Sequence, residues 1–168
     1  MPVHVEFYSG PEEVAKEKSK LIQALPANGF TVLNHDDEIV FRMKDLSRAE
    51  TITYGFNPGA DVKASDMGYF IDSDYGIGGG VYFKTNFEKS VVPFRLANAL
   101  GKHQIYAALA AMAVGLHFGM NLVEISQALE KLEFPKQRMK LVRGIKNSWI
   151  IDDSYNSTFD RLKSLSCD

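Results

Sequence analysis

Hydrophobic and polar residues are spaced along the first half of the chain in two periods, one helical and one typical of strands. A helix-start pattern at residues 9–12, Ser-Gly-Pro-Glu, predicts a helix over residues 10–25. Short apolar runs predict strands at residues 30–33 and 51–54, and a short helix over residues 38–46 between them. Helices that alternate with strands indicate an α/β protein.

The second half begins with a β-rich segment, residues 61–96. Residues 105–118 then form an apolar run with almost no polar side chain, so we expect a helix that is buried in a core on all sides. A further helix follows Asn121, and the last predicted elements are strands at residues 139–142 and 149–151. The expected fold is α/β: a partial, mostly parallel sheet flanked by helices, with a β-rich subregion.

Composition and charge exclude several classes of protein. A length of 168 residues corresponds to one domain, or one domain and a fragment of another. A net charge of −2 predicts no nucleic-acid partner. The longest non-polar run, residues 105–116, is shorter than the about 18–20 residues that cross a bilayer, so we expect no membrane insertion. The polar start of the chain and the single cysteine, Cys167, predict a cytoplasmic location.

Lys18 is the first candidate for chemistry. On a helical wheel it falls between Val14 and Ile22, on the apolar face of the first predicted helix. A lysine there either extends along the edge of a core to reach water or is buried with a lowered pKa. In the second case the neutral amine can be modified or can pair with an anion, so Lys18 is a candidate site residue.

Polar side chains also follow two predicted strands. Residues 34–37, Asn-His-Asp-Asp, follow one strand, and residues 152–154, Asp-Asp-Ser, follow another. Such groups either point into the crevice where α/β sheets bind ligands or cap the next turn, and the sequence leaves both open. His4, ahead of the first helix, is a candidate metal ligand.

Two glycine-containing segments invite a phosphate-loop interpretation, and both fail. Residues 76–80 lack the lysine and hydroxyl residue that should follow, and a strand comes next instead of a helix. In residues 101–103, Gly-Lys-His, a histidine stands where the magnesium-binding hydroxyl belongs. These 168 residues therefore contain no P-loop motif.

Four segments, in order, resemble the Mur ligases, which build the peptidoglycan precursor. His4, followed fourteen residues later by Lys18, looks like the family's histidine ahead of its "EK" or "AK" helix. Residues 33–37 are similar to its "N-A-D-D" strand end, and residues 101–111 to its "G-x-H-N-x-x-N-A-L-A-A" helix start.

The fourth segment consists of Arg138 and residues 151–156, which resemble the passage from the central to the C-terminal domain. Within it, the pair Tyr155-Asn156 resembles the residues found at this place in the ligases that add D-alanyl-D-alanine to a UDP-N-acetylmuramoyl-tripeptide. By this resemblance residues 1–136 are the second half of the central ATP-binding domain, and residues 137–168 begin the C-terminal domain.

The resemblance also implies roles for single residues. His4 and Lys18 would bind Mg²⁺, with Lys18 catalytic in its N-carboxylated form, whose oxygens suit a hard cation. Arg138 would contact the ATP phosphates, Asp153 the ribose hydroxyls and His103 the nucleotide. The parent protein would join D-Ala-D-Ala to a UDP-linked muramoyl peptide through an acyl-phosphate, and the isolated chain, without a P-loop, would be inactive.

The chain departs from the family pattern in two places. Gln104 and Ala107 replace both asparagines of the helix start, the second of which is expected near adenine. Residues 156–159, Asn-Ser-Thr-Phe, replace "N-A-N-P". The first departure favours a non-catalytic binding or regulatory module with the same fold. A third alternative is a related ligase for another acidic acceptor, of the folyl-polyglutamate or cyanophycin type, against which Tyr155-Asn156 argues.

Overall fold

The computed structural model of the chain describes residues 10–71, 79–132 and 140–155. The helices are α1 (Pro11–Gln23), α2 (Glu38–Arg42), α3 (Lys102–His117) and α4 (Leu122–Glu130). The strands are β1 (Phe30–Asn34), β2 (Glu50–Gly55), β3 (Val62–Phe70), β4 (Gly80–Phe87), β5 (Ser90–Ala97), β6 (Lys140–Arg143) and β7 (Trp149–Asp152). The predicted α/β class is confirmed. No helix of the described residues has the length and apolar character that a membrane span requires.

The main sheet has the strand order β1-β2-β3-β4-β5. Strands β1, β2 and β3 run parallel, whereas β4 and β5 continue the sheet as antiparallel neighbours. The predicted β-rich subregion is therefore an extension of the parallel sheet, because β3 pairs with a parallel strand on one side and an antiparallel strand on the other. Strands β6 and β7 form a separate antiparallel pair.

The connection between β2 and β3 is unusually short for parallel strands, which need a crossover of about a dozen residues or more. It is feasible here because β3 begins beside the end of β2. Only two residue pairs of these strands lie side by side, Tyr54 with Val62 and Gly55 with Lys63, so the chain does not have to return along the whole strand. Asp61 fixes the return of the chain. Its Oδ2 accepts hydrogen bonds from the backbone N–H and the hydroxyl of Thr53, at 2.7 and 2.6 Å.

The hydrophobic core lies between the sheet and helices α3 and α4. Its largest fully buried side chains include Phe83 and Phe94 from the sheet and Leu109 and Met112 from α3. The expectation that α3 is buried on all sides is wrong. One face of the helix, with Ala107, Ala111 and Val114, is exposed, because α3 packs on one side of a sheet and the small side chains on its other side lose little by remaining in water.

Helix α1 also differs from the wheel-based prediction. Lys18 is exposed and Leu21 is 73% exposed, while Ser19 is the buried residue of the helix at 6%. The hydroxyl of Ser19 donates to the carbonyl oxygen of Lys16 at 2.8 Å, which satisfies its polar atom. A lysine ammonium in that position would lose far more hydration, so the helix turns serine inward and Lys18 outward. The predicted helix start at Ser9 lies outside the described residues.

Candidate functional site

The carboxylate of Asp36 joins three elements at the carboxyl ends of β1 and β2. Its Oδ2 accepts the backbone N–H of Phe56 and the hydroxyl of Tyr106, both at 2.7 Å. Its Oδ1 accepts the backbone N–H of Asn57 at 3.0 Å. The loop after β2 and the first turns of α3 are thus tied to the end of β1, and both carboxylate oxygens are engaged.

Gly55 makes this arrangement possible. A Cβ atom at this position would lie 2.5 Å from Oδ1 and 2.8 Å from Cγ of Asp36, closer than real contacts allow. The glycine, which is buried at the end of β2, therefore lets the carboxylate reach the next two backbone N–H groups. A strand that ends in glycine is the local feature on which the cluster depends.

A cationic and aromatic surface lies beside this carboxylate. The ammonium of Lys102 is 4.1 Å from the ring centroid of Phe56 and 5.5 Å from that of Tyr106. The two rings meet edge to face, with centroids 5.3 Å apart. Gly101, with a φ of 90°, turns the chain into α3 and so places Lys102 at the start of the helix. We call Phe56, Lys102 and Tyr106 the aromatic platform.

The same contacts set the protonation of the pair. Burial opposes ionisation of Asp36, but hydrogen bonds from Phe56, Tyr106 and Asn57 and the charge of Lys102 outweigh it and lower the pKa of the carboxyl. Burial, followed by the hydrogen bond to Asp36 and its negative charge, raises the pKa of the Tyr106 phenol far above its usual range. Asp36 is therefore an acceptor and Tyr106 a donor at neutral pH.

The other strand-end side chains serve as caps. Asp37 accepts the N–H of Val40 at the start of α2 at 3.1 Å, and Asn34 accepts the N–H of Asp36 at 3.0 Å. At the end of β7, Asp152 accepts the N–H and the hydroxyl of Ser154. Of the two interpretations that the sequence left open, capping holds at these positions, whereas Asp36 makes long-range contacts.

The structure places the sequence-predicted site residues in separate surroundings. His103 is exposed in the first turn of α3, next to the aromatic platform, and Asp153 is half-buried just after β7. Lys18 is exposed on α1, so of the two alternatives that the sequence left open, a buried lysine is not the one found. His4 and Arg138 lie outside the described residues. The described part of the chain contains no group of three or more histidine, cysteine, aspartate or glutamate side chains that could hold a metal ion. Lys18 alone does not make a magnesium site.

Sequence reasoning missed the partners of Asp36. Gly55 and Phe56 belong to no motif and only follow a predicted strand. Tyr106 stands at a position where the family pattern specifies no residue. Lys102 entered only through the rejected P-loop. A glycine at a strand end, followed by an aromatic residue, is the one local signal that points to a close backbone approach here.

A cleft of about 760 Å³ is lined by the start of β2, including Glu50, and by the loop that follows β2, including Pro58 and Ala60. In its wall, Nδ1 of His117 is 3.6 Å from Oε2 of Glu50. The imidazole also stacks on Phe30, with centroids 3.7 Å apart. The lining residues include no sequence-predicted site residue and no member of the Asp36 cluster, so the cleft is a separate feature.

The fold and the strand-end cluster define an α/β domain with the ligand-binding edge typical of nucleotide-binding sheets. Residues 1–115 match the family model described as the Mur ligase middle domain. The chain therefore belongs to the Mur ligase family.

Curated relatives cover most of the chain. It is 33% identical over 150 residues to the UDP-N-acetylmuramate–L-alanine ligase of Aquifex aeolicus, covering 89% of the chain and 32% of that protein. It is 31% identical over 140 residues to the UDP-N-acetylmuramoyl-L-alanyl-D-glutamate–2,6-diaminopimelate ligase of Chlamydia caviae, covering 83% of the chain and 27% of that protein. The chain thus spans about a third of the length of the curated relatives it matches.

Solved structures share the fold. MurF ligase from Thermotoga maritima in complex with ADP superimposes with a TM-score of 0.79 at 20% identity, covering 96% of this chain and 35% of that one. MurF from Acinetobacter baumannii gives the same TM-score and identity, with 96% and 33% covered. At this level of identity the likeness establishes the fold.

Proposed function

We propose that this chain is part of an ATP-dependent ligase that joins D-alanyl-D-alanine to a UDP-N-acetylmuramoyl-tripeptide. Residues 1–136 would be the second half of its ATP-binding domain, and residues 137–168 the start of its C-terminal domain. In the proposed reaction a carboxylate oxygen of the tripeptide attacks the γ-phosphorus of ATP, which gives an acyl-phosphate and ADP. The dipeptide amine then attacks the acyl carbon, the amide forms and phosphate leaves.

One observation supports the proposal that the nucleotide binds at the carboxyl ends of β1 and β2. The hydrogen bonds of Asp36 hold Phe56 and Tyr106 together at the carboxyl ends of β1 and β2, where open α/β sheets bind their ligands, and Lys102 lies over the Phe56 ring. The first turn of α3 contains no acidic residue and begins with Lys102 and His103. A helix start of this kind favours phosphate groups, because free N–H groups and positive charge meet there.

The roles of single residues remain part of the proposal. Lys18 and His4 would bind Mg²⁺, Arg138 the ATP phosphates, and Asp153 the ribose. The exposure of Lys18 supports its role in one respect, since its amine is accessible to carbon dioxide and the carbamate would offer oxygen ligands. Magnesium, when bound, would neutralise charge on the transferring phosphoryl group. A cytoplasmic location is proposed with the reaction.

A second candidate is the ligation of L-alanine to UDP-N-acetylmuramate. The observation that favours it is the 33% identity to the L-alanine ligase of Aquifex aeolicus. The observation that favours D-alanyl-D-alanine is the pair Tyr155-Asn156, which follows the Asp-Asp-Ser of residues 152–154. The two candidates share ATP and the acyl-phosphate and differ in both the donor carboxylate and the acceptor amine.

The experiment uses the product of the complete reading frame that encodes these residues. ADP release is measured with MgATP and either UDP-N-acetylmuramoyl-tripeptide plus D-alanyl-D-alanine or UDP-N-acetylmuramate plus L-alanine. We expect ADP release that requires the tripeptide and the dipeptide together. Release only with L-alanine would establish the second candidate. A folded product that releases no ADP with either pair would favour the non-catalytic module.

A further inference from the structure

Strand β2 has a neighbouring strand along its whole length on one side only. It pairs with β1 from Glu50 to Tyr54. On the opposite side, pairing with β3 begins only at Tyr54, which lies beside Val62. Within the residues that the structure describes, the first half of β2 therefore has one open edge, and this edge lies inside the sheet rather than at its border.

Thr51 presents its backbone to this open edge. Successive residues of a strand direct their backbone N–H and C=O groups to alternate edges, so residues two apart share an edge. The N–H of Thr53 points to the side of β3, because it donates to Oδ2 of Asp61 at 2.7 Å. The N–H and C=O of Thr51 point to the same side, where no described residue is hydrogen-bonded to them. One donor and one acceptor of the sheet can thus pair with a ligand.

The open edge is one wall of the cleft of about 760 Å³, a volume in the size range of ligand pockets. Beside Thr51 and Ile52 of β2, the lining includes residues from the end of β4 and the end of α3, namely Asn86, Phe87, Leu116 and His117. The cleft thus occupies the place that β3 would take if it began earlier in the chain. An extended peptide segment that enters it would continue the sheet by backbone hydrogen bonds.

The charges in the lining indicate which kind of segment fits. The described lining carries three carboxylates, Glu50, Asp61 and Glu88, and one ammonium, Lys63. Nδ1 of His117 lies 3.6 Å from Oε2 of Glu50, whereas Glu88 is exposed at the turn after β4 and forms no ion pair with a described residue. A surplus of negative charge favours a partner with a basic side chain.

We propose that this cleft is a docking site for an extended, basic segment of a partner protein, which fills the gap in the sheet beside Thr51. The backbone of the segment hydrogen-bonds to the N–H and C=O of Thr51, and its basic side chain lies near Glu50 and Glu88. The inference goes beyond the proposed ligase and does not depend on it, because the lining includes none of the residues to which a role in that reaction is assigned.

The test is a calorimetric titration of the complete gene product with the peptide acetyl-Val-Lys-Val-amide, combined with hydrogen–deuterium exchange. The blocked ends leave the lysine as the only charge of the probe. We expect a dissociation constant below about 1 mM and slower exchange in the segment that contains Thr51. Two matched probes, the same peptide with methylated backbone nitrogens and acetyl-Val-Glu-Val-amide, should each bind at least about fivefold more weakly.

Three results of this titration would overturn the proposal. They are no binding of the lysine peptide at about 1 mM, unchanged exchange in the segment that contains Thr51, and equal affinity for the lysine and glutamate peptides.

A pair of variants tests the backbone contact from the side of the protein. Thr51→Pro removes the N–H that faces the cleft and no N–H that pairs with β1, so the strand should persist, and the lysine peptide should bind at least about fivefold more weakly. Thr51→Val keeps the N–H and the branched side chain and should bind the peptide like the unchanged protein. A folded Thr51→Pro variant that binds as tightly as Thr51→Val contradicts the proposal. If melting shows that Thr51→Pro is unfolded, the methylated peptide tests the same contact from the side of the ligand.

A second pair of variants tests the charge. Glu88→Gln should weaken the lysine peptide by about two- to fivefold. Glu130→Gln, at an exposed glutamate of α4 outside the cleft, removes the same charge and should leave the affinity unchanged. Equal effects of the two variants would show that net charge, and not the cleft, attracts the peptide. Because peptide binding is measured without ATP, these results and the ADP assay of the proposed ligase fail independently of each other.

Discussion

The phenolic oxygen of Tyr106 lies 2.7 Å from Oδ2 of Asp36 and joins helix α3 to the end of β1 across 70 residues of sequence. The contact is directional, because the pKa of Asp36 is lowered and that of Tyr106 is raised. The aspartate accepts and the phenol donates over the whole neutral pH range. This pair, with the backbone N–H groups of Phe56 and Asn57, is the structural basis of the candidate site.

Asp36→Asn is expected to lower the free energy of unfolding by about 1–3 kcal/mol at pH 7. The amide has only one oxygen that can accept, so at least one N–H or O–H that now reaches the carboxylate loses its partner. Asp37→Asn is the matched control. Asp37 caps α2 with one hydrogen bond, and asparagine caps helices as well as aspartate does, so this change should have little effect. Chemical denaturation of the two variants measures the difference.

The loss caused by Asp36→Asn should depend on pH in a defined direction. A carboxyl whose pKa is lowered on folding contributes stability above its ordinary pKa, and the contribution disappears as the pH falls through the lower value in the folded chain. The difference between the unchanged chain and Asp36→Asn should therefore be constant from pH 7 to about 5 and shrink below pH 3.8. A difference that persists at pH 2 would contradict the ionised state of Asp36.

Gly55→Ala should destabilise the chain by about 1–3 kcal/mol, because the added Cβ meets the Asp36 carboxylate at 2.5 Å. Gly115→Ala is the comparison within α3. There a Cβ lies 3.2 Å from the flexible end of Ile125, and alanine favours a helix by about 1 kcal/mol, so we expect a neutral or stabilising change. Equal melting temperatures for the two variants would show that Gly55 does not serve Asp36.

Leu109→Asp should unfold the chain. Leu109 is fully buried between α3 and the sheet, and an unpaired buried carboxylate costs several kcal/mol against a total stability of about 5–15 kcal/mol. Ala111→Asp, on the exposed face of the same helix, should cost less than about 1 kcal/mol. Circular dichroism during heating distinguishes them, and a cooperative transition for Leu109→Asp near that of the unchanged chain would place the core elsewhere.

The 168-residue chain by itself should release no ADP from MgATP, with or without a muramoyl peptide and a dipeptide. Its sequence contains no P-loop, the motif that supplies the backbone donors and the lysine for the β- and γ-phosphates. A coupled assay for ADP checks this, with the complete gene product as positive control. Turnover by the chain that depends on magnesium and on the acceptor would be inconsistent with this view.

Elements with their own local signals were predictable from the sequence. A helix was predicted after Asn121, and Asn121 and Glu124 form the reciprocal cap of α4, with the side chain of each accepting a backbone N–H of the other. Strand β3 was not predicted as a single strand, because the alternation of inward and outward side chains is interrupted between Ser65 and Gly68. The register shifts there and Asp66 has a φ of 51°. A register irregularity of this kind leaves no periodic signal.

The candidate site was predictable only in part. The strand end at residues 34–37 indicated a ligand edge, but the choice between capping and long-range contact depended on residues up to 70 positions away. The helical wheel placed Lys18 correctly relative to Val14 but could not show that Ser19 is the residue of the helix that is buried. Which face of an amphipathic helix is buried depends on packing as well as on spacing, because a serine that bonds to its own backbone can be buried at small cost.

The most direct test of the proposed ligase is the rate of ADP release by the complete gene product with MgATP, UDP-N-acetylmuramoyl-tripeptide and D-alanyl-D-alanine, compared between the unchanged protein, Lys18→Ala and Lys16→Ala. Both lysines are exposed on α1, so neither change should affect folding, and Lys16 is the matched control. We predict that Lys18→Ala lowers the rate by at least about 100-fold, as expected for the loss of a group that holds the catalytic metal, while Lys16→Ala retains it. Equal rates for the two variants would contradict the assignment of Lys18 to the active site of a Mur ligase.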